Sequence, residues 1–259
     1  MKIIFLNIWG GKVYEPLMEF MRKHAPTTDF FCLQEVLDSP EVRTVSLGCR
    51  ANILTDLKAT LPSFISYFAP AVRSFDGDIS WDFDFVLGNA ILARDAIVVS
   101  SSGNFPVSEG GLHVNQQQPF PHLLQFLRFE QGDVHYTLAN IHGIAHPGSK
   151  RDTNARIAQS QKTLDFLAEE KGEKILGGDF NLLPDTESIR MIERAGMRNL
   201  IAEYGITTTR NLLSYGLYPE AERQYFADYA FVSPGINVKS FTVPQIDISD
   251  HLPLILEVA

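Results

Sequence analysis

The sequence predicts an α/β fold in which mixed β-sheets are covered by helices. Short apolar segments alternate along the chain with amphipathic segments of helical period, which indicates strand–helix–strand units. Two apolar segments are joined by Gln131-Gly132-Asp133, a turn typical of a β-hairpin. Crossover units favour parallel neighbours and hairpins favour antiparallel ones, so sheets that contain both are expected.

The first hundred residues predict four strands and two helices. The strands are short apolar runs, and the helices have apolar residues three or four positions apart; Pro62 ends the second helix. The predicted strands are residues 3–7, 30–34, 89–93 and 97–100, the last two as a pair. The predicted helices are residues 16–24 and 52–61.

The remainder of the chain predicts the hairpin, two helices and four further strands. Gly172 and Gly196 mark the ends of the helices. The predicted strands are residues 123–130, 134–141, 174–177, 230–232, 238–243 and 253–258. The predicted helices are residues 153–171 and 187–195. Three long stretches lack a regular pattern and are candidates for functional loops: residues 72–88, 103–122 and 202–224.

Composition and charge narrow the functional classes. The 259 residues carry a net charge of −9, and the densest basic spot is only Lys150-Arg151, which disfavours tight binding to duplex nucleic acid. A nuclease is not excluded, because Mg²⁺ at a site adds positive charge there. No apolar run is long enough for a membrane helix, and the run before Asn7 is too short for a signal peptide. We therefore expect a soluble cytoplasmic protein, and a monomer.

Polar side chains stand at the ends of the predicted strands. They are acids, amides and histidines, and they would meet at one rim if the strands lie side by side. Several hard oxygen ligands beside two imidazoles suit Mg²⁺ and a phosphate better than Zn²⁺. The zinc, nucleotide-loop and serine-elbow motifs are not found in the sequence. The residues concerned are Asn7, Glu35, His142, Asp179, Asn181, Asp228, Asp250 and His251.

These residues belong to ordered motifs that extend over nearly the whole chain. The motifs are Leu6-Asn7-Ile8-Trp9-Gly10, Leu33-Gln34-Glu35-Val36, Gly88-Asn89-Ala90-Ile91-Leu92-Ala93-Arg94, Asn140-Ile141-His142-Gly143, Arg156-x-x-Gln159, Gly178-Asp179-Phe180-Asn181, Asp228-Tyr229 and Ser249-Asp250-His251-x-Pro253-Leu254. Together and in this order they resemble the endonuclease/exonuclease/phosphatase superfamily, in its histidine-type branch. The resemblance implies a deoxyribonuclease I-like fold: a four-layer α/β-β/α sandwich of two mixed, mainly antiparallel β-sheets flanked by helices, as one domain over residues 1–259.

The resemblance also implies roles for the residues. Glu35, Asn7 and Asp250 would bind Mg²⁺, with Mn²⁺ as a substitute. Asp179 would orient and deprotonate a water, and Asp228 would pair with His251. Asn181, His142 and His251 would donate hydrogen bonds to the phosphate. Asn89 and Arg156 are further candidates for substrate binding.

The expected activity is hydrolysis of a phosphodiester, such as a nucleic acid, a nucleotide or a phospholipid-type headgroup. A phosphomonoesterase acting on a small sugar or lipid phosphate is the alternative, and the acidic composition favours a small or lipid-derived substrate over nucleic acid. A catalytically silent binding protein of the same fold is the alternative from another class. The late motif Ala227-Asp228-Tyr229-Ala230 disfavours the inositol polyphosphate phosphatase branch, which carries Cys-Asp-Arg-Ile there.

Each site residue also has an ordinary interpretation when it is taken alone. Asn7, Asp179 and Asn181 could be turn or capping residues, and Glu35 could be a solvated acid. The histidines outside the motifs, His113, His122 and His146, are expected on loop surfaces. The aromatic residues Trp81, Phe83 and Phe85 alternate like a half-buried strand or could line a groove. Possible cationic contacts to a phosphate are Arg50, Lys150, Arg151, Arg210 and Arg223, and the acid beside His142 could be Asp82 or Asp84.

Overall fold

A first six-stranded sheet contains both ends of the chain. The computed structural model describes residues 1–45, 48–74, 82–108, 122–216 and 218–259. The strands of this sheet, in the order in which they lie side by side, are β13 (Val238–Thr242), β14 (Leu254–Val258), β1 (Lys2–Asn7), β2 (Phe30–Asp38), β6 (Val86–Arg94) and β5 (Phe64–Arg73). Only β1 and β2 pair in parallel; the other neighbours are antiparallel.

A second six-stranded sheet repeats this arrangement. Its strands, side by side, are β11 (Arg198–Asn199), β12 (Asp228–Val232), β10 (Glu173–Asp179), β9 (Val134–His142), β8 (Leu123–Gln131) and β7 (Val99–Pro106). The parallel pair here is β9 and β10. A small hairpin of β3 (Thr44–Val45) and β4 (Cys49–Arg50) lies apart from both sheets.

The helices cover the outer faces of the two sheets. They are α1 (Tyr14–His24), α2 (Ile53–Thr60), α3 (Asn154–Glu169), α4 (Glu187–Arg194) and α5 (Leu200–Glu203). A further short helix, α6 (Leu212–Tyr215), exposes Leu212 and Leu213. Apolar residues of α1 and α2 pack on the first sheet, and those of α3 and α4 pack in the core that includes the second. The predicted four-layer sandwich of two mixed sheets is therefore confirmed. In the described ranges, no helix is long and apolar enough to cross a membrane.

Strand β1 shows why the sheets stack. Ile3 and Phe5 belong to the core shared with the second sheet, whereas Ile4 and Leu6 belong to the core under α1 and α2. A strand with apolar side chains on both faces must be covered on both. The sheets approach closely where Phe5 crosses Gly177, since a Cβ on that glycine would lie 2.7 Å from the ring.

The predicted strand pair of residues 89–93 and 97–100 is wrong. These segments lie in β6 and β7, which belong to different sheets, because the chain crosses from one sheet to the other through a turn closed by Ile97 N–H and the Arg94 carbonyl. Strand β5, which pairs with β6 from Phe64 to Arg73, was not predicted.

All three predicted irregular stretches are partly regular, and the third contains α6 and the end of α5. Residues 103–106 complete β7, and residues 72–73 and 86–88 belong to β5 and β6. Phe83 and Phe85 are buried in the core of the first sheet and do not line a groove, whereas Trp81 and His113 lie outside the described residues.

Candidate active site

The polar residues predicted at strand ends meet at one edge of the sandwich. Asn7 ends β1 opposite Gln34 of the parallel β2. In the second sheet, Asp179 ends β10 opposite both His142, the last residue of β9, and Asp228, the first residue of β12. Parallel strands end at the same edge, and an antiparallel neighbour begins there. The chain direction therefore brings residues distant in sequence to this edge.

The backbone at this edge is held in unusual conformations. Glu35, Lys150 and Asn181 have φ values of 55°, 54° and 55°, in the left-handed region that non-glycine residues rarely adopt. Glu35 lies where the pairing of β2 with β6 shifts register, as at a β-bulge, which redirects its side chain. Such strained residues cluster at functional sites, where the surrounding structure holds them in place.

The glycine before Asp179 is required by close packing. Gly178 has a φ of 125°, and a Cβ there would lie 2.3 Å from the Ile141 carbonyl oxygen. A larger residue would push β10 away from β9 and displace Asp179 from His142.

Asp179 is at the centre of the polar cluster. Its Oδ2 accepts a hydrogen bond from Asn7 Nδ2 at 3.1 Å and lies 3.9 Å from His142 Nε2 and 3.7 Å from His251 Nε2. Asn7 Nδ2 also donates to Glu35 Oε1 at 2.8 Å. One amide thus ties together two carboxylates from different sheets, and two imidazoles face the same carboxylate oxygen.

The charges around Asp179 set its protonation state. Burial acts to raise the pKa of this carboxyl group, but His251, Lys150, His142 and Arg210 outweigh burial and hold the pKa well below its usual range. Asp179 is therefore ionised at neutral pH.

His251 is paired with Asp228 in the buried part of the site. Its Nδ1 lies 2.8 Å and 2.9 Å from the two oxygens of Asp228. Burial and Arg210 act to lower the pKa of His251. The carboxylates of Asp228, Asp250 and Asp179 outweigh them, so the pKa is raised above its usual value. Burial in turn raises the pKa of Asp228. The carboxylate accepts a hydrogen bond from Nδ1–H and fixes the orientation of the ring, so that Nε2 faces Asp179.

Asn181 follows Asp179 in a tight turn. Its backbone N–H donates to Asp179 Oδ1 at 2.9 Å, and its side-chain Nδ2 donates to the Gly143 carbonyl at 3.0 Å. Its Oδ1 accepts a hydrogen bond from the ammonium group of Lys150.

Asp250 lies at the same edge but is already paired. Its Oδ2 accepts from Arg210 Nη2 at 2.6 Å, and both side chains are buried. The segment that carries Arg210 is held by backbone pairing with the residues around His251. Ser249 Oγ donates to the Asn7 carbonyl at 2.7 Å, which ties the last motif of the chain to the first.

Two groupings of side chains could bind a cation. Glu35, Asn7 and Asp250 supply hard oxygen atoms, and the Glu35 side chain is 30% exposed whereas its neighbours are buried, so a cation has access to it. A second grouping, Asp179, Asp228 and His251, brings one ligand atom from each residue to within 4.8 Å of the others. In the second grouping His251 Nδ1 is already paired with Asp228. Oxygen ligands alone suit Mg²⁺, so the residues around Glu35 have the donor chemistry that this cation prefers.

Two residues predicted to bind substrate have structural contacts instead. Arg156 is fully buried, and its guanidinium group donates to four loop carbonyls, those of Ile144, Ala145, Pro147 and Arg151. Asn89 is buried between the sheets, where its Nδ2 lies 3.4 Å from the carbonyls of Leu123 and Asn140. Their donors are used within the fold, so neither side chain is placed to contact a substrate directly.

The predicted positions of several polar and charged residues are wrong. His122 was expected on a loop surface but is buried, with its ring 5.9 Å from that of His142. Of the five cationic candidates, Lys150 and Arg210 are buried at the site, whereas Arg50 and Arg151 pair with acids elsewhere. Asp84, a candidate partner of His142, is exposed and pairs with Arg73.

A polar contact below the site also escaped the sequence analysis. Gln34 Nε2 donates to Asn140 Oδ1 at 2.5 Å, and Asn140 Nδ2 donates back to the Leu33 carbonyl at 3.1 Å. These hydrogen bonds join the two sheets. The available signal was an amide within an otherwise apolar strand of each sheet.

Comparison with known proteins agrees with this architecture. The sequence profile of the "Endonuclease/Exonuclease/phosphatase family" matches residues 4–251. No curated protein sequence matches the chain significantly.

Several solved structures share the fold. A mannosyl-6-phosphatase from Bacteroides thetaiotaomicron VPI-5482 has a TM-score of 0.71 at 18% identity, covering 100% of this chain and 99% of that one. A family protein from Leptotrichia buccalis C-1013-b has a TM-score of 0.73 at 17% identity, covering 100% and 99%. A D. rerio TDP2, humanized by 14 mutations, has a TM-score of 0.66 at 14% identity, covering 100% and 98%.

Proposed function

The chain belongs to the endonuclease/exonuclease/phosphatase family, and on that premise we propose that it is a magnesium-dependent phosphoesterase that hydrolyses a phosphodiester by attack of water. The observation that carries this proposal is the position of Asp179. Its carboxylate lies within 4 Å of two imidazole nitrogens and is hydrogen-bonded to the Asn7 amide that also binds Glu35. A protein that only binds partners has no need for this arrangement of buried ionisable groups.

Glu35, Asn7 and Asp250 would bind the cation. Bound there, Mg²⁺ would supply a Lewis acid that neutralises charge on the phosphate and on the departing oxygen. Asp250 would share its carboxylate with Arg210, and Asn7 would use its Oδ1, which in the structure accepts from Trp9 N–H at 3.0 Å. Mn²⁺ would serve as a substitute.

The remaining residues act on the water and the phosphate. Asp179 orients the attacking water and accepts its proton, which requires the ionised state that its surroundings favour. His142 and His251 donate hydrogen bonds from Nε2 to the non-bridging oxygens, where negative charge increases in the transition state. Asp228 accepts a hydrogen bond from Nδ1–H and favours the protonated imidazolium, whose Nε2–H is then the donor.

A phosphomonoester is the second candidate substrate. One structure of the same fold is that of a mannosyl-6-phosphatase, whose name specifies a sugar phosphate. The net charge of −9 also favours a small or lipid-derived substrate over nucleic acid.

A substrate panel tests the proposal. Single-stranded RNA and DNA, duplex DNA, nucleotides, sugar phosphates and sphingomyelin are incubated with the protein and Mg²⁺, with and without a chelator. We expect hydrolysis of at least one ester, its loss with the chelator, and a fall of roughly 10²–10⁴ in rate for Asp179→Asn and for His251→Ala. Glu130→Gln, at an exposed position on the hairpin, is the matched control and should leave the rate unchanged. Full activity in both site variants would refute the assignment.

A further inference from the structure

Lys150 is placed at the active site by a rigid segment of the loop that follows β9. Its carbonyl accepts a hydrogen bond from Leu183 N–H at 2.9 Å, and the next carbonyl, that of Arg151, is bound by Arg156 at 2.6 Å. Its own φ of 54° is in the strained left-handed region. The backbone of Lys150 is therefore held on both sides of the residue, which fixes the point from which its side chain reaches Asn181.

The ammonium group of Lys150 is buried and bonded to a neutral partner. The residue is 4% exposed, and Asn181 Oδ1 is its hydrogen-bond acceptor. Among the described residues, no carboxylate lies within 4 Å of the ammonium nitrogen. Burial of a cation without a paired anion is costly, and a methionine of similar length would fill this space without that cost. Fold stability therefore does not explain the ammonium group.

The contact fixes which way the Asn181 amide faces. An ammonium group only donates hydrogen bonds, so the amide oxygen of Asn181 must face Lys150. The amide nitrogen then faces the other way, where one N–H donates to Gly143. Within the described part of the chain, the second N–H has no acceptor, so it can donate to a ligand.

We infer that Lys150 is a positioning residue that orients the Asn181 amide to donate a hydrogen bond to the substrate phosphate. This inference rests on the proposed function, since it takes a phosphate ester as the ligand. In the absence of the ammonium donor, the amide is held by its hydrogen bond to Gly143 alone, so its oxygen turns more easily towards the anionic phosphate, which would repel it. Lys150 also helps to keep Asp179 ionised, but that contribution does not require the Asn181 side chain, so the coupling between Lys150 and Asn181 isolates the positioning effect.

A double-mutant cycle tests the inference on the ester that the intact protein hydrolyses fastest. Lys150→Met is made alone and together with Asn181→Ala, and Lys162→Met, an exposed lysine on α3, is the matched control. We expect Lys150→Met alone to lower kcat at least about tenfold, the order expected for one misplaced donor to developing charge. In the Asn181→Ala background it should lower kcat by less than about twofold, because coupled residues are not additive. Losses that multiply in the double variant would overturn the inference.

An NMR measurement separates this inference from the proposed function. The side-chain amide signal of Asn181 is assigned by its disappearance in Asn181→Ala, and inorganic phosphate is titrated in with Mg²⁺. We expect the signal to shift on titration in the wild type and Lys162→Met but not in Lys150→Met; equal shifts in all three would overturn the inference. If Lys150→Met fails to fold, Lys150→Arg, which keeps a donor, should retain the wild-type shift, and its loss there would also overturn it. If no ester in the panel is hydrolysed, the proposed function is refuted, but the NMR titration still tests the inference about Lys150.

Discussion

His251 and Asp228 form a buried pair in which Nδ1 of the imidazole lies 2.8 Å from Oδ2 of the carboxylate. Asp228 begins β12 of the second sheet, whereas His251 lies in the segment that leads into β14 of the first sheet. The pair joins the sheets at the edge where the site lies, and it leaves Nε2 of His251 facing Asp179 at 3.7 Å.

Replacement of Asp228 by Asn should impair catalysis more than folding. The amide oxygen can still accept from Nδ1–H, but the negative charge that favours the imidazolium is lost, so His251 would be neutral and would present the lone pair of Nε2 to the phosphate. We expect kcat to fall by roughly 10²–10⁴, as for other carboxylates that orient a catalytic histidine. Steady-state kinetics beside a thermal melt measure both effects, with Asp165→Asn on the exposed face of α3 as the control. A rate within twofold of wild type would contradict this role of Asp228.

Glu35→Gln should weaken metal binding. The change removes one anionic ligand but keeps the size of the side chain, so we expect the dissociation constant for Mg²⁺ to rise at least about tenfold. Calorimetric titration of the protein measures it, and Glu130→Gln is the control. Unchanged affinity would instead point to the group of Asp179, Asp228 and His251 as the cation site.

Arg156→Ala should destabilise the protein, because the guanidinium group satisfies four loop carbonyls. One of these hydrogen bonds is buried and three are partly buried, and an unsatisfied buried acceptor costs about 1–3 kcal/mol, so we expect a loss of about 1–3 kcal/mol in the free energy of unfolding. Urea denaturation measures it. Arg22→Ala, at an exposed position of α1, should change stability by less than about 0.5 kcal/mol. A loss below about 1 kcal/mol would show that water replaces the side chain.

Gly177→Ala should disturb the packing of one sheet on the other. The added methyl group would lie 2.7 Å from the Phe5 ring, so we expect a loss of roughly 1–3 kcal/mol from overpacking. Phe5→Leu in the same chain should restore part of that loss, although it is destabilising by itself. Chemical denaturation of the two single variants and the double variant measures the coupling, with Gly148→Ala in open space as the control. If the two losses in unfolding free energy simply add in the double variant, the strain does not arise from contact between the added methyl group and Phe5.

Glu170→Gln should reduce stability in a pH-dependent way. Two hydrogen bonds of 2.6 Å from Arg128 lower the pKa of Glu170 from 4.5, and Thr137 adds a third at 2.8 Å. A lowered pKa means stabilisation that is present above pH 4.5 and is lost as the pH falls through the folded-state value. Because Arg128 is 40% exposed, we expect a difference of only about 1 kcal/mol at pH 7. Unfolding curves at several pH values should show the difference in unfolding free energy between wild type and Glu170→Gln become smaller as the pH falls. A difference that stays constant with pH would contradict this account. Glu169→Gln, at an exposed position, is the control.

The sequence was informative where burial and polarity change sharply along a strand. Asn7, His142 and Asp179 follow apolar runs, and such a change of polarity is visible without coordinates. The same signal could not assign β6 and β7 to separate sheets, because a short turn allows either a hairpin or a crossover between sheets.

Loop residues were harder to place for a related reason. Lys150 and Arg210 lie in segments without periodicity, and their burial depends on hydrogen bonds made by other parts of the chain, such as Leu183 and the residues around His251. Such long-range contacts leave no local pattern. Arg156 shows the converse case, since its motif was recognised but its contacts are with the backbone of the loop.

The hydrogen bond from Ser249 to the carbonyl of Asn7 spans 242 positions of the chain. During synthesis Asn7 leaves the ribosome long before Ser249, so the nascent chain cannot complete the active site until nearly all of it has been made. Such distant pairings also slow folding, because a large loop must close before they form. A product truncated before Ser249 should thus be inert, and premature hydrolysis by incomplete chains is avoided without any separate inhibitor.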